Sequence, residues 1–311
     1  MKKAYDIDPQ LRMLKPLRFT SYSDRRRRLV NGLMKVTMFL TTPRINITTK
    51  TYHIKGDQDG RVKVKLYTFK NQDQPAPCIF YLHGGGFQIE GTPIHLKLIT
   101  NLMQGTGFKA LYVHYRLTPE HPFPTAMEDC YQALCWLEAN KQTLGITDIM
   151  VAGDSAGGNL ATVMTLLSRD RKGPVITRQM MIYPVIDVRQ QTRSVKDYDD
   201  TPVWNRHLNS DMWALYLKNG DHGMLPYASP ILADLHDLPP AYLETAEYDC
   251  LRDEGIAYAE RLRSFGISVE THHTKRSVHG YDGCFLSDLV KDLTQKRIAF
   301  LKGGTHAENQ H

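Results

Sequence analysis

The stretch GDSAGG at 153–158 constrains the fold of this chain more than any other. It follows an apolar run, IMVA, with strand character and opens AGGNLATVMTLL, which reads as a helix. A G-x-S-x-G between a strand and a helix forms a sharp, strained turn with the serine at its apex. Gly153 and Gly157 leave room where side chains would collide, and the hydroxyl of Ser155 is thrust out at the carboxyl end of a sheet. Ligands bind at that end in open α/β folds. The first amide of the helix, on Ala156, points to the same place, and the helix dipole adds positive potential there.

The rest of the chain reads as the sheet such a turn needs. RVKVKLYTF (61–69) alternates apolar and polar residues, as a strand near a sheet edge does. PCIFYLHG (77–84), ALYVHYR (110–116), DIMVAGDS (148–155), QMMIYPVID (179–187) and AYLETAEYD (241–249) are short, rich in β-formers and more apolar. Helical stretches at 94–104, 125–140, 156–169 and 253–265 separate most of them. Strands alternating with helices predict an α/β fold, a mostly parallel sheet covered on both faces. Two parts stand apart. Residues 1–48 read as amphipathic helices, with Leu29, Leu33, Val36 and Leu40 on one face. Residues 188–227 form a polar excursion with scattered aromatics, and an excursion of that length from a compact sheet usually has a role of its own, such as a lid. The expected organisation is N-terminal cap helices at 1–48, a catalytic body at 49–187 and 228–302, a cap insertion at 188–227 and a disordered tail at 303–311.

Composition excludes several classes. The net charge of +6 is mild, and only Arg25–Arg28 concentrates it; nucleic-acid binding needs a basic face. The five cysteines are odd in number, irregular in spacing and without C-x-x-C. This argues against a disulfide framework or zinc cage and for a reducing, cytoplasmic setting. No H-E-x-x-H or comparable cluster suggests a metal. No run of apolar residues is long enough to span a bilayer, and the basic N-terminus lacks the apolar centre of a signal peptide. The Asn46-Ile47-Thr48 sequon is then incidental. Gly105-Thr106-Gly107 with Ala110 mimics a dinucleotide fingerprint but lies before a strand, where it holds no phosphate. No cofactor is expected.

A serine hydroxyl needs a base to take its proton. In a sheet of this kind the partners follow in the order serine, acid, histidine. His272 and His273 fall inside the apparent strand VETHHTK, whereas His279 follows it in SVHGYDG, where Gly280 permits a turn toward the serine. His279 is the expected base. Asp249 ends a strand between the two and is the expected acid, able to hold the imidazole tautomer. Asp187 also follows a strand and is the alternative. Asp253 and Glu254 sit in a first helical turn, where acids commonly offset the dipole. HGGGF at 83–87 directly follows a strand. Its glycines let backbone amides converge on a developing oxyanion, with Gly85, Gly86 and Ala156 as donors and Gly84 in support. His83 reads as structural.

These pieces together resemble the hormone-sensitive lipase family of α/β-hydrolases, the bacterial family IV esterases. HGGGF, YRLTPEHPFP (115–124), GDSAGGNLA (153–161), SPILADLHDLPPAYL (229–243), YDCLRDEG (248–255) and VHGYDG (278–283) are similar to family blocks in family order, over about residues 60–300. The resemblance implies an eight-stranded sheet, a triad of Ser155, Asp249 and His279, an oxyanion hole of Gly85, Gly86 and Ala156, a helical cap, no cofactor and dimers through the last sheet edge. It implies hydrolysis of short- to medium-chain acyl esters through an acyl-enzyme. Two positions depart from the pattern: Cys250 stands where proline usually follows the acid, expected to loosen that loop slightly, and Tyr281 where phenylalanine is usual, expected to add a polar tip near the site.

Other readings use the same residues. An amidase or deacetylase would need the same triad, and a ligand-binding receptor on this fold would normally lack one member. The Arg25–Arg28 helix, with apolar residues opposite its arginines, suits a membrane surface; packing of that apolar stripe on the body is the preferred expectation. Trp204, Met212, Trp213 and Tyr216 are candidates for an acyl pocket or for core.

Overall fold

The computed structural model describes residues 3–41 and 46–304. Helix α1 (Asp24–Thr41) precedes a hairpin of β1 (Ile47–Lys55) and β2 (Arg61–Phe69). Alternation follows: β3 (Ala76–Leu82), α2 (Pro93–Thr106), β4 (Lys109–His114), α3 (Thr125–Ala139), β5 (Ile146–Asp154), α4 (Ala156–Asp170) and β6 (Arg178–Ile182). The excursion holds α5 (Arg193–Asp197), α6 (Arg206–Tyr216) and α7 (Leu225–Ala228). The chain then returns through β7 (Ala241–Tyr248), α8 (Arg252–Ser264), β8 (Val269–Val278) and α9 (Asp288–Leu301). The eight strands lie in the order β1-β2-β4-β3-β5-β6-β7-β8. Only the pairings of β2 are antiparallel.

The apolar runs are continuous because both faces of the sheet are covered. Along β3, Cys78, Phe80 and Leu82 pack with α3 and α4, while Ile79 and Tyr81 pack with α2 and α9. Strand β1 begins at Ile47, inside the segment expected to be helical, and forms the outer edge beside β2.

Register places the strand ends that matter. Leu82 pairs with Gly153, Asp154 with Ile182, Ile182 with Glu244, and Tyr248 with Val278. The residues that follow these positions therefore meet along one edge of the sheet.

The face of α1 differs from expectation. Leu29, Leu33, Val36 and Leu40 are 55–73% exposed, and Arg27 and Met38 are the buried residues. The reason is the backbone beneath. Asn31 donates to the Gln88 carbonyl and accepts from the Glu90 amide, each at 2.9 Å, and Lys35 pairs with Glu90 at 3.1 Å. Arg27 pairs with Asp24 and Glu120. Polar side chains satisfy a loop that an apolar stripe would leave unbonded, so the stripe turns outward. The segment before α1 crosses the carboxyl edge of the sheet. Lys3, Tyr5 and Arg18 all bond Asp200, and the Val203 amide donates to the Leu17 carbonyl at 2.6 Å. Of the expected tail, Gly303 and Gly304 are described and 305–311 lie outside the described residues.

Candidate active site

Ser155 sits at the turn from β5 into α4 with φ 54° and ψ −120°. A Cβ at Gly153 would lie 2.2 Å from the Gly157 carbonyl oxygen, and one at Gly157 would lie 2.0 Å from that of Leu82. The turn closes only because both side chains are absent. The Ser155 amide donates to the Ile182 carbonyl at 2.8 Å, and Asn159 ties α4 to the Val185 and Ala228 carbonyls.

His279 follows β8 and Asp249 follows β7, one residue past the Tyr248–Val278 register pair. His279 Nδ1 lies 2.7 Å from Asp249 Oδ2, and its Nε2 lies 2.9 Å from Ser155 Oγ. A carboxylate accepts, so Nδ1 carries the proton and Nε2 faces the serine hydroxyl as an acceptor. All three side chains are buried, with Asp249 at 0% exposure. The other Asp249 oxygen accepts from the Leu251 amide at 3.0 Å. Cys250, in the place of the usual proline, leaves this loop tied: its carbonyl accepts from Ser194 Oγ at 2.8 Å. The other acids are engaged elsewhere. Asp187 pairs with Arg189, Asp253 accepts from the Ser194 amide, and Glu254 accepts from the Ile186 and Asp187 amides. His272 faces Glu270, and His273 meets Thr245.

The HGGG loop runs beside the turn because β3 and β5 are neighbours. Gly85 has φ 116°, and a Cβ there would lie 2.4 Å from the Ile89 carbonyl oxygen; Gly86 has φ 58° and faces Trp204. No hydrogen bond within the described residues takes up the amides of Gly85 or Gly86. The Gly84 amide donates to Asp154 Oδ1 at 3.0 Å. Asp154 also accepts from Tyr81 at 2.6 Å and meets His95 Nε2 at 3.1 Å. His95 Nδ1 accepts from the Thr92 amide, so the ring donates through Nε2. Burial opposes ionisation of Asp154, but His95, Tyr81 and Gly84 outweigh it and hold the carboxyl down at about 2. Asp154 is thus a fixed negative post that anchors the glycine loop. His83 is stacked between the Tyr112 and Tyr115 rings and donates from Nδ1 to the Gly84 carbonyl.

A buried network beneath His279 has no counterpart among the sequence motifs. Arg297 on α9 donates to Glu244 at 2.8 and 2.6 Å and to Asp282 at 2.7 and 3.2 Å. Glu244 also accepts from Tyr242 and Tyr281, and Asp282 accepts from Tyr183. The Tyr183 ring lies 4.6 Å from the His279 imidazole. The polar tip of Tyr281 is turned away from the pocket and fully buried. Burial and the Glu244 charge push the Asp282 carboxyl up, against Arg297. Tyr183, Asp282 and Arg297 therefore brace the loop that carries His279. The partners lie far apart in sequence, and a single arginine on an amphipathic helix gives no signal.

Ser155 and His279 open onto a cavity of about 230 Å³. Leu14, Leu17, Tyr22, Ile89 and Leu98 line its walls, with Val203 and Trp204 from the excursion. Met212, Trp213 and Tyr216 are core; Tyr216 stacks on Phe87 at 3.8 Å and so backs the glycine loop. Among the described residues no group of three or more His, Cys, Asp or Glu is placed to hold a metal. Nor is any helix among them long and apolar enough to cross a membrane.

A family model described as alpha/beta hydrolase fold matches residues 79–283. The chain is 35% identical to the carboxylesterase NlhH of Mycobacterium tuberculosis, over 97% of each chain. It is 34% identical to an arylesterase of Saccharolobus solfataricus, over 73% of this chain and 74% of that one. Among solved structures it is similar to a bacterial heroin esterase, with TM-score 0.85, 32% identity and coverage of 97% and 99%.

Proposed function

The chain belongs to the α/β-hydrolase family, in its hormone-sensitive lipase-like branch, and from that premise we propose that it is a serine carboxylesterase with Ser155 as nucleophile, His279 as base and Asp249 as the acid that orients it. The observation that carries this reading is the unbroken hydrogen-bond chain from Asp249 through His279 to Ser155, buried and opening onto an apolar cavity.

His279 takes the Ser155 proton as Oγ attacks the ester carbonyl. The carbonyl oxygen becomes an oxyanion held by the amides of Gly85, Gly86 and Ala156. Each such donor is typically worth a factor of about 10²–10³ in rate. Asp249 stabilises the imidazolium that forms. The alcohol departs with the proton from His279, leaving an acyl-enzyme. Water then attacks the acyl carbon, giving its proton to His279, and the carboxylic acid and free serine result.

The cavity volume supports small esters: about 230 Å³ is below the range of roughly 300–1,000 Å³ common for drug-sized ligands. The segments 3–22 and 188–227 act as the cap, since they supply much of the cavity wall. Five cysteines free of disulfides suit the cytoplasm. The outer edge of β8 suits pairing with a second copy.

The test is hydrolysis of p-nitrophenyl esters from acetate to palmitate, with Ser155→Ala alongside. Acetate to hexanoate turn over, and Ser155→Ala lowers kcat by on the order of 10⁶-fold. Turnover retained by Ser155→Ala, or no cleavage of any ester, overturns the reading.

A further inference from the structure

We propose that the outward face of α1 and the rim of the cavity form a docking surface for a membrane that carries anionic headgroups. Among the described residues the exposed large apolar side chains are gathered there. Leu29, Leu33, Val36, Phe39 and Leu40 on α1 are 55–73% exposed. Met13, Leu17, Ile94, Phe285 and Leu286 are 38–74% exposed, and of the set only Val175 lies elsewhere. Leu17 and Ile94 also line the cavity. The elements that carry these residues are contiguous: α2 packs against α1 and against the turn Tyr281–Cys284, and that turn packs against the turn Pro9–Leu14. Scattered single apolar residues need no explanation, but a gathered set around an opening marks an interaction surface.

The charge identifies the occupant. Arg12, Lys15, Arg25, Arg26, Arg28 and Lys97 are exposed on these same elements, against Asp24 at the start of α1, and Lys35 is exposed but pairs with Glu90. Lys97 reaches over the Phe285 ring, and Arg26 over Phe19 and Tyr22. Apolar side chains flanked by long basic ones are how a helix lies in the headgroup layer, with the stems buried and the charges at phosphate level. A second copy would set one basic rim against another, whereas an anionic surface complements it. The cavity mouth would then open toward the lipid, so that an ester dissolved in the membrane enters without crossing water.

The inference goes beyond hydrolysis and needs no turnover, so the full chain carrying Ser155→Ala tests it independently of the catalytic reading. The experiment is flotation with vesicles of phosphatidylcholine alone, and of phosphatidylcholine with about one third phosphatidylglycerol. The protein floats with the anionic vesicles and stays behind with the neutral ones. Leu33→Gln with Val36→Gln and Leu40→Gln lowers the partition at least about tenfold, since the buried apolar area sets the affinity. Arg25→Gln with Arg28→Gln lowers it about 25-fold, each basic group near an anionic surface being worth about fivefold. In the Ser155-containing chain both variants hydrolyse dissolved p-nitrophenyl acetate as before, which shows that they fold. Three results overturn the proposal: no flotation with anionic vesicles, flotation that neither variant changes, or a dimer in sedimentation that the α1 apolar variant dissociates.

Discussion

Tyr281 shows how one atom is absorbed by this fold. The hydroxyl that replaces the usual phenylalanine hydrogen is fully buried and donates to Glu244, which Arg297 and Tyr242 already bind. Tyr281→Phe removes one donor and leaves Glu244 two others, so it costs about 1–2 kcal/mol. Thermal unfolding reads this as a fall in Tm of about 2–4 °C, with the esterase rate nearly unchanged. Residues read from strand ends, Ser155, Asp249 and His279, were legible because each directly follows a strand and the register carries them together. Tyr183 and Asp282 were not, because what makes them matter is a ring and a guanidinium brought in from elsewhere in the chain. The glycine loop was legible as a loop, but its anchor, the Asp154–His95 contact, joins a helix and a strand end that no local motif relates.

At the scale of elements, α9 does more than cover a face of the sheet. Its Arg297 holds Glu244 on β7 and Asp282 on the base loop at once, both buried. Arg297→Met leaves two buried carboxylates without their cation, a loss of about 3–5 kcal/mol. At a temperature where the variant is still folded, kcat falls by more than KM rises, because the loop that carries His279 loses its brace while only Tyr183 and Asp282 of the cavity wall lose support with it. A fall in Tm with kcat unaltered would make α9 a cover only. Periodicity located α2, α3, α4 and α8 to within about two residues, since each has a packed apolar stripe. The same rule misjudged α1, where the loop beneath needed Asn31, Arg27 and Lys35, and polar satisfaction outweighed burial of leucines. Strand β1 went unread because an edge strand such as ITTKTYHIK, mostly exposed, carries little apolar signal.

The whole molecule should respond to acid through two buried imidazoles, His83 and His114, both held down to about 4 by burial, and His83 is the one to test. Burial between two tyrosine rings pushes this imidazole down to about 4, against about 6.5 in an unfolded chain. Between those values the unfolded chain binds a proton that the folded one refuses, so stability rises with pH across the window and is complete above about 6.5. Acidification to about pH 4 removes up to about 3 kcal/mol through this group. Thermal scans from pH 7 downward show the fall, and His83→Gln, which cannot titrate, makes the slope shallower; an equal slope would place the acid sensitivity elsewhere. On the same scale, the hydrogen-bonded trio and most of the cavity wall have separate origins in the chain. Ser155, Asp249 and His279 hang from β5, β7 and β8 of one sheet, whose spacing the backbone ladder sets, whereas Leu14, Leu17, Tyr22, Val203 and Trp204 come from the leading segment and the excursion, with Ile89 and Leu98 added by the body. Selection can therefore rewrite what the enzyme accepts by altering two detachable stretches of chain, while the chemistry is inherited intact.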